Sequence, residues 1–234
     1  MFSEKELNFV LGGAAGVVRQ VPTAWLRVTG PDAAVFLQGQ CTQELRGLAA
    51  GRATWALWLS IKGKVLGESL ILREQTAGDA EGAWWLWSAH TTGEVLRARL
   101  EEFIIADDVT VEDVGATGGW EQVTLAGEGA AAWVGEVPVE GAWVAFRGGY
   151  LFAGRRSQPS TWEWLRPTGG GVAGPAGLAE LRSEELVRAR IAAGVPAIPG
   201  EFGPEDLPQE AGLEAVAISF TKGCYLGQEV MARL

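Results

Sequence analysis

Apolar and polar residues alternate along much of this chain with the two-residue period of half-buried strands. Residues 25–29 alternate in this way, and Gly30-Pro31-Asp32 then opens a helix over about 31–37, with proline in the first turn and a carboxylate near the positive helix end. Three β-rich runs follow at 53–60, 65–73 and 83–88, separated by turns that contain glycine or charge, which predicts an antiparallel meander. Thr91-Thr92-Gly93-Glu94 has the spacing of a capping box, ahead of a helix that puts Leu96, Leu100 and Phe103 on one face. A further strand begins at Val109 and Val111.

A second unit starts at Glu121, where Val123 and Leu125 alternate as Leu26 and Val28 do. The stretch from Val28 to Phe36 and the stretch from Leu125 to Trp133 match at an offset of 97 residues as strand, glycine, acidic helix start, small residues and aromatic. Such self-similarity predicts two related α+β halves, at about 20–115 and 120–200. Later strands are expected at 142–147, 150–153 and 161–165. The Gly-rich stretch 168–174 fits no phosphate-binding spacing and reads as a connector. Ser183 caps a helix to about 193, with Gly194 as its stop and Pro196 beyond. The segment 195–212, rich in Pro, Gly and acid, reads as a long surface loop.

Composition narrows the class. At 234 residues, 47% of them hydrophobic and 21% charged, the chain can bury a sizeable core. Its formal charge of -10 repels a phosphate backbone, and no basic run is long enough for a nucleic-acid stripe. The 11 tryptophans read first as core filling. Cys41 and Cys224 are too few for a disulfide framework and too far apart for a C-x-x-C motif, which fits a reducing compartment. Glu4, Lys5 and Glu6 precede the apolar, Gly-rich stretch 7–18, so the positive start of a signal peptide is missing. No apolar run approaches the ~18 residues of a membrane span. These features place the chain in the cytoplasm. His90, the sole histidine, reads as a surface or capping residue.

Chemistry concentrates near the end. Val216, Ile218 and Phe220 alternate as a strand, and Thr221-Lys222-Gly223-Cys224-Tyr225-Leu226-Gly227-Gln228-Glu229 follows. Two glycines bracket Cys224 and Tyr225 and allow close backbone approach. Cys224 and Gln228, like Tyr225 and Glu229, share a face if a helix begins here. Lys222 beside a cysteine at a helix start favours the thiolate. A lone cysteine is also read as a small buried hydrophobe.

Residues 219–233 resemble the K-G-C-Y-x-G-Q-E signature of the YgfZ family. Residues 30–42 resemble its G-x-D-x-x-x-F-L-Q-G-Q-x-T, Lys62-Gly63-Lys64 its K-G-[KR], 103–114 its helix-to-strand passage, and 190–196 its R-I-x-A-G-I-P. The likeness runs through nearly the whole chain and is weakest from about 115 to 180. It implies an α+β body related to the glycine-cleavage aminomethyltransferase, one folate-binding domain over 1–234 with the signature at 215–234. It further implies bound tetrahydrofolate or a derivative, iron-sulfur client proteins including tRNA-modifying enzymes, and no direct nucleic acid, membrane or resident metal. Cys224 is the implied chemical residue, and Trp25, Lys222, Tyr225, Gln228 and Glu229 the implied folate contacts. Leu186 stands where the family has a second folate-associated tryptophan.

Two departures bear on activity. Aminomethyltransferases carry an acidic pair after K-G-G, where this chain has Gly67-Glu68, which weakens an aminomethyl-transfer reading. Family members usually continue into a C-terminal β-barrel, expected to be absent from a chain that stops at Leu234. A scaffold of the same fold without ligand is the remaining alternative.

Overall fold

The computed structural model describes residues 15–75, 82–127, 129–157, 161–169 and 175–231. They fall into two compact units, one from Met1–Val21 with Gly118–Pro196 and the other from Pro22–Thr117 with Ala197–Leu234. The signature segment therefore folds with the first half of the chain, and the first strand with the second half. Part of the apolar N-terminal stretch (7–14) and most of the 168–174 connector lie outside the described residues.

The unit that carries the signature is built on a five-stranded antiparallel sheet of β2 (Ala24–Thr29), β3 (Ala53–Leu59), β4 (Val65–Arg73), β5 (Trp84–Ser88) and β6 (Thr110–Asp113), in the order β3-β4-β5-β2-β6. The expected meander is present, with β4 paired to β3 on one side and β5 on the other. Helix α1 (Ala33–Gln40) starts later than expected because the Asp32 carboxylate makes no cap and instead accepts the Asp108 N–H at 2.8 Å. Helix α2 (Gly93–Glu101) is capped by Thr92, whose hydroxyl accepts from Val95 N. Thr91 is fully buried and joins strand to loop, accepting from Glu68 N at 3.0 Å and donating to Ile198 O at 2.9 Å. Leu96 and Leu100 pack with Leu26, Val28, Phe36, Leu37, Trp58 and Leu86 in one core, with Phe103 against its edge. Trp25, Trp58 and Trp87 are fully buried, each large ring contributing on the order of 2–3 kcal/mol of transfer free energy.

The other unit has a six-stranded sheet in the order β11-β1-β7-β10-β9-β8. Its members are β1 (Gly16–Gln20), β7 (Trp120–Ala126), β8 (Trp143–Phe146), β9 (Gly149–Ala153), β10 (Trp162–Pro167) and β11 (Ala179–Glu180). Val123 and Leu125 point to one face, where they pack with Val17, Leu151 and Trp164 against α3 (Gly129–Val134). The opposite face carries α4 (Ser183–Ala192), whose Leu186 and Ala189 meet Val18 and Ala126. Sequence patterning did not anticipate Glu163, which is wholly buried on β10. Its carboxylate accepts from Gln122 (2.8 Å), Thr124 (2.6 Å) and Thr161 (2.7 Å), which offsets the desolvation cost. Each of the two self-similar stretches runs from strand through a glycine of positive φ into a helix, at Gly30 (φ 117) and Gly127 (φ 91).

One element differs in kind from the sequence reading. The strand expected at 216–220 is instead α5 (Glu214–Ala217) followed by irregular chain. Leu213 and Ala217, four apart, are buried together with Ile218, while Val216 and Phe220 are 41% and 68% exposed. Burial at a spacing of four favours a helical turn over the period of two.

Candidate functional site

The signature residues occupy a loop followed by a short helix, α6 (Gln228–Met231). Cys224 and Tyr225 thus precede the helix and do not lie on its first turn, so the expected shared faces with Gln228 and Glu229 are not formed. Instead, the Gln228 amide oxygen accepts from Tyr225 N at 3.1 Å and fixes the loop–helix junction. Cys224 is exposed, as is Glu229, while Lys222, Tyr225 and Gln228 are half-buried.

The loop is seated on the end of α1. A helix leaves its last four carbonyls without intrahelical partners and concentrates negative partial charge there. Lys222 Nζ donates to the carbonyls of Gln38 (2.8 Å), Cys41 (2.7 Å) and Gln43 (2.8 Å). Leu226 N donates to Gly39 O at 3.0 Å, and Ser219 N to Thr42 O at 2.9 Å. The stretches 30–42 and 219–229 are therefore two halves of one device, each satisfying the other's main chain. The Lys222 ammonium also lies 5.0 Å from the Tyr225 ring centre.

The Lys62-Gly63-Lys64 turn packs on the other side of the signature. Gly227 has φ +85, and a Cβ there would come within 2.6 Å of Ser60 O and 3.0 Å of Leu59 Cβ. Gly63 has φ +73, and its own Cβ would meet Val230 Cβ at 2.9 Å. No such demand is made of Gly223, beside which a Cβ would have open space.

Two residues in this device were missed from sequence. Thr42 is fully buried, accepting from Leu57 N at 2.8 Å and donating to Ala217 O at 2.6 Å. Arg99 donates to Leu59 O through Nε (3.1 Å) and a terminal nitrogen (3.0 Å), and to the Gln40 side-chain oxygen at 3.0 Å. It sits over the Phe103 ring at 4.4 Å, and burial lowers its pKa to about 10. The available signal was its place inside the Leu96–Leu100–Phe103 stripe, where a solvated arginine does not belong.

Trp25 stands apart in β2. It is fully buried, and its ring stacks on Trp85 at 4.6 Å with 15° between planes. Among the described residues no group of three or more His, Cys, Asp or Glu side chains could hold a metal ion. An open groove of about 400 Å³ in the same unit is lined by Glu94, Arg97, Ala98, Glu101, Asp113 and Ala116, none of them a signature residue.

Lys222, which the sequence sets two residues from Cys224, also adjoins Cys41. Burial pushes the Cys41 pKa up, only partly opposed by Lys222, and its thiol contacts Gln43 O at 3.3 Å. A thiol whose folded pKa lies above the unfolded value of about 8.5 stabilises the fold fully below that pH. That stability is lost as pH rises further, because the unfolded chain gives up its proton first. Urea unfolding of wild type and Cys41→Ala should therefore converge above about pH 8.5, by up to ~1.4 kcal/mol per pH unit. Parallel stability curves between pH 7.5 and 9.5 would refute this.

The chain is 31% identical over 222 residues to the human "Iron-sulfur cluster assembly factor IBA57, mitochondrial", covering 89% of this chain and 59% of that protein. It is 30% identical over 224 residues to the "tRNA-modifying protein YgfZ" of Edwardsiella ictaluri, covering 89% and 64%. The chain is a homologue of the YgfZ and IBA57 proteins. It spans about three fifths of the length of these relatives. No family model matches it. The glycine cleavage system aminomethyltransferase T of Bartonella henselae superposes with a TM-score of 0.82 at 17% identity, covering 97% of this chain and 65% of that one. The fold is thus the α+β aminomethyltransferase fold expected from the sequence. Among the described residues no helix is long and apolar enough to cross a membrane.

Proposed function

We propose that this chain is an accessory protein for the assembly or repair of iron-sulfur enzymes, tRNA-modifying ones among them, acting in the cytoplasm through the thiol of Cys224. The observation that carries this reading is an exposed cysteine on a loop fastened on both sides, in a chain that resembles an iron-sulfur cluster assembly factor over nine-tenths of its length. An exposed thiol is available to another protein, whereas a cysteine kept for packing is ordinarily buried, as Cys41 is.

Tetrahydrofolate or a derivative is the proposed ligand, on the strength of the aminomethyltransferase fold. The signature unit alone does not assemble a pterin site from the residues named in the sequence. Trp25 is sealed against Trp85, Lys222 has spent its three N–H groups, and Gln228 holds the main chain of Tyr225. Tyr225 and Glu229 are the two whose side chains retain access for such a contact. Aminomethyl transfer is the second reading, disfavoured because the sequence has Gly67-Glu68 in place of an acidic pair and the Glu68 carboxylate accepts from Ser88 Oγ at 3.0 Å. Two measurements test the proposal. Expression of the chain in a strain lacking its YgfZ homologue should restore iron-sulfur enzyme activity. Titration with tetrahydrofolate should quench tryptophan fluorescence saturably. Absence of rescue sinks the accessory reading, and an unchanged emission spectrum sinks the folate one.

A further inference from the structure

We propose that Lys222 is a positioning residue, an ammonium that fastens the signature loop to the end of α1 and so presents Cys224, and that it contacts neither ligand nor thiolate. The inference rests on the reading of Cys224 as the working thiol.

The geometry is that of a point donor at the centre of three acceptors. Its three N–H groups meet three main-chain carbonyls at 2.7–2.8 Å, which leaves none for a further partner. These carbonyls belong to the last turn of α1 and the residues just beyond it, where a cation is favoured by the helix dipole. The loop is fastened at three places, Ser219, Lys222 and Leu226, each to a carbonyl of the same stretch. Cys224 lies midway between the second and third anchors, and it and Gly223 are the exposed residues of that span. Burial pushes the Lys222 pKa down, opposed in part by the nearby Cys41 and Glu44. A lysine held this way serves geometry, because its three N–H groups are all committed to main-chain carbonyls.

Arginine distinguishes geometry from charge. A guanidinium keeps the charge but spreads its donors over a planar fork, which cannot converge on three carbonyls around one point. Lys222→Arg and Lys222→Met are therefore expected to behave alike. In both, amide hydrogen exchange across 219–227 should accelerate about tenfold or more while β7 in the other unit keeps its wild-type rates. In both, rescue of iron-sulfur enzyme activity should fall with the loop. Alkylation of Cys224 by iodoacetamide in Lys222→Met should keep the wild-type pH midpoint. An upward shift of that midpoint, with rescue retained by Lys222→Arg, would show that Lys222 acts by charge and overturn the proposal. Unchanged exchange across 219–227 in Lys222→Met would overturn it too. Should Cys224→Ala rescue like wild type, the working-thiol reading fails alone, and the exchange data still decide whether Lys222 holds the loop.

Discussion

Replacing Cys224 with alanine is expected to abolish rescue of iron-sulfur enzyme activity while the purified protein keeps its melting temperature and its tetrahydrofolate affinity. Physical separation of the two effects follows from exposure. The Cys224 side chain lies at the surface, so its truncation opens no cavity, and the cost should stay within the ±0.5 kcal/mol usual for surface substitutions. The loop's anchors, Lys222 to α1 and Leu226 to Gly39, do not involve the thiol and should persist. Cys41→Ala provides the opposite case. That thiol is fully buried beside Leu37 and Trp58 in the same core, so its removal should cost roughly 1 kcal/mol and leave rescue intact. Equal rescue by both variants would remove the chemical role of Cys224 and leave the signature as a docking surface.

Local pattern carried most of the element assignments, because the first half of β4 buries alternate residues, β3 is an apolar run buried along most of its length, and α2 buries Leu96 and Leu100 on one stripe. It failed at 214–220, where the short span contains apolar residues compatible with either period and only tertiary burial of Leu213 and Ala217 decides between them. The pairing of β1 also escaped pattern reading. A strand such as β1 carries no mark of whether its partner is the next strand or β7, more than 100 residues later. The chemistry-bearing stretch was legible as residue types, and Cys224 and Glu229 are exposed. What could not be read was the direction of each side chain. Lys222 reads in sequence as the neighbour of Cys224, yet its long stem carries the ammonium to carbonyls some 180 residues away. Thr42 likewise looks like an ordinary polar residue after a helix, and its role appears only when Leu57 and Ala217 are brought to either side of it.

Gly227→Ala should be the most destabilising single-methyl change in the signature, lowering stability by about 3 kcal/mol, equivalent to roughly 6–12 °C in melting temperature. Two costs combine. The φ of +85° is one that an alanine adopts only at about 1–2 kcal/mol. The added methyl would also sit 2.6 Å from Ser60 O, a contact no side chain rotation can relieve because the obstacle is main chain. Ser60 cannot easily yield, since its carbonyl accepts from Gly63 N at 2.9 Å and its N–H donates to Lys64 O at 2.9 Å, closing the turn. Gly63 cannot yield either, because its Cα already lies 3.2 Å from the new methyl. The strain must therefore move the signature away from the Lys62–Lys64 turn, and rescue of iron-sulfur enzyme activity should fall along with stability. Gly223→Ala is the matched control, with the same added methyl in the same loop and nothing within 4 Å of it. It should change stability by no more than about 0.5 kcal/mol. Thermal denaturation of the two variants side by side decides the matter, and equal melting temperatures would show that the signature does not pack on this turn.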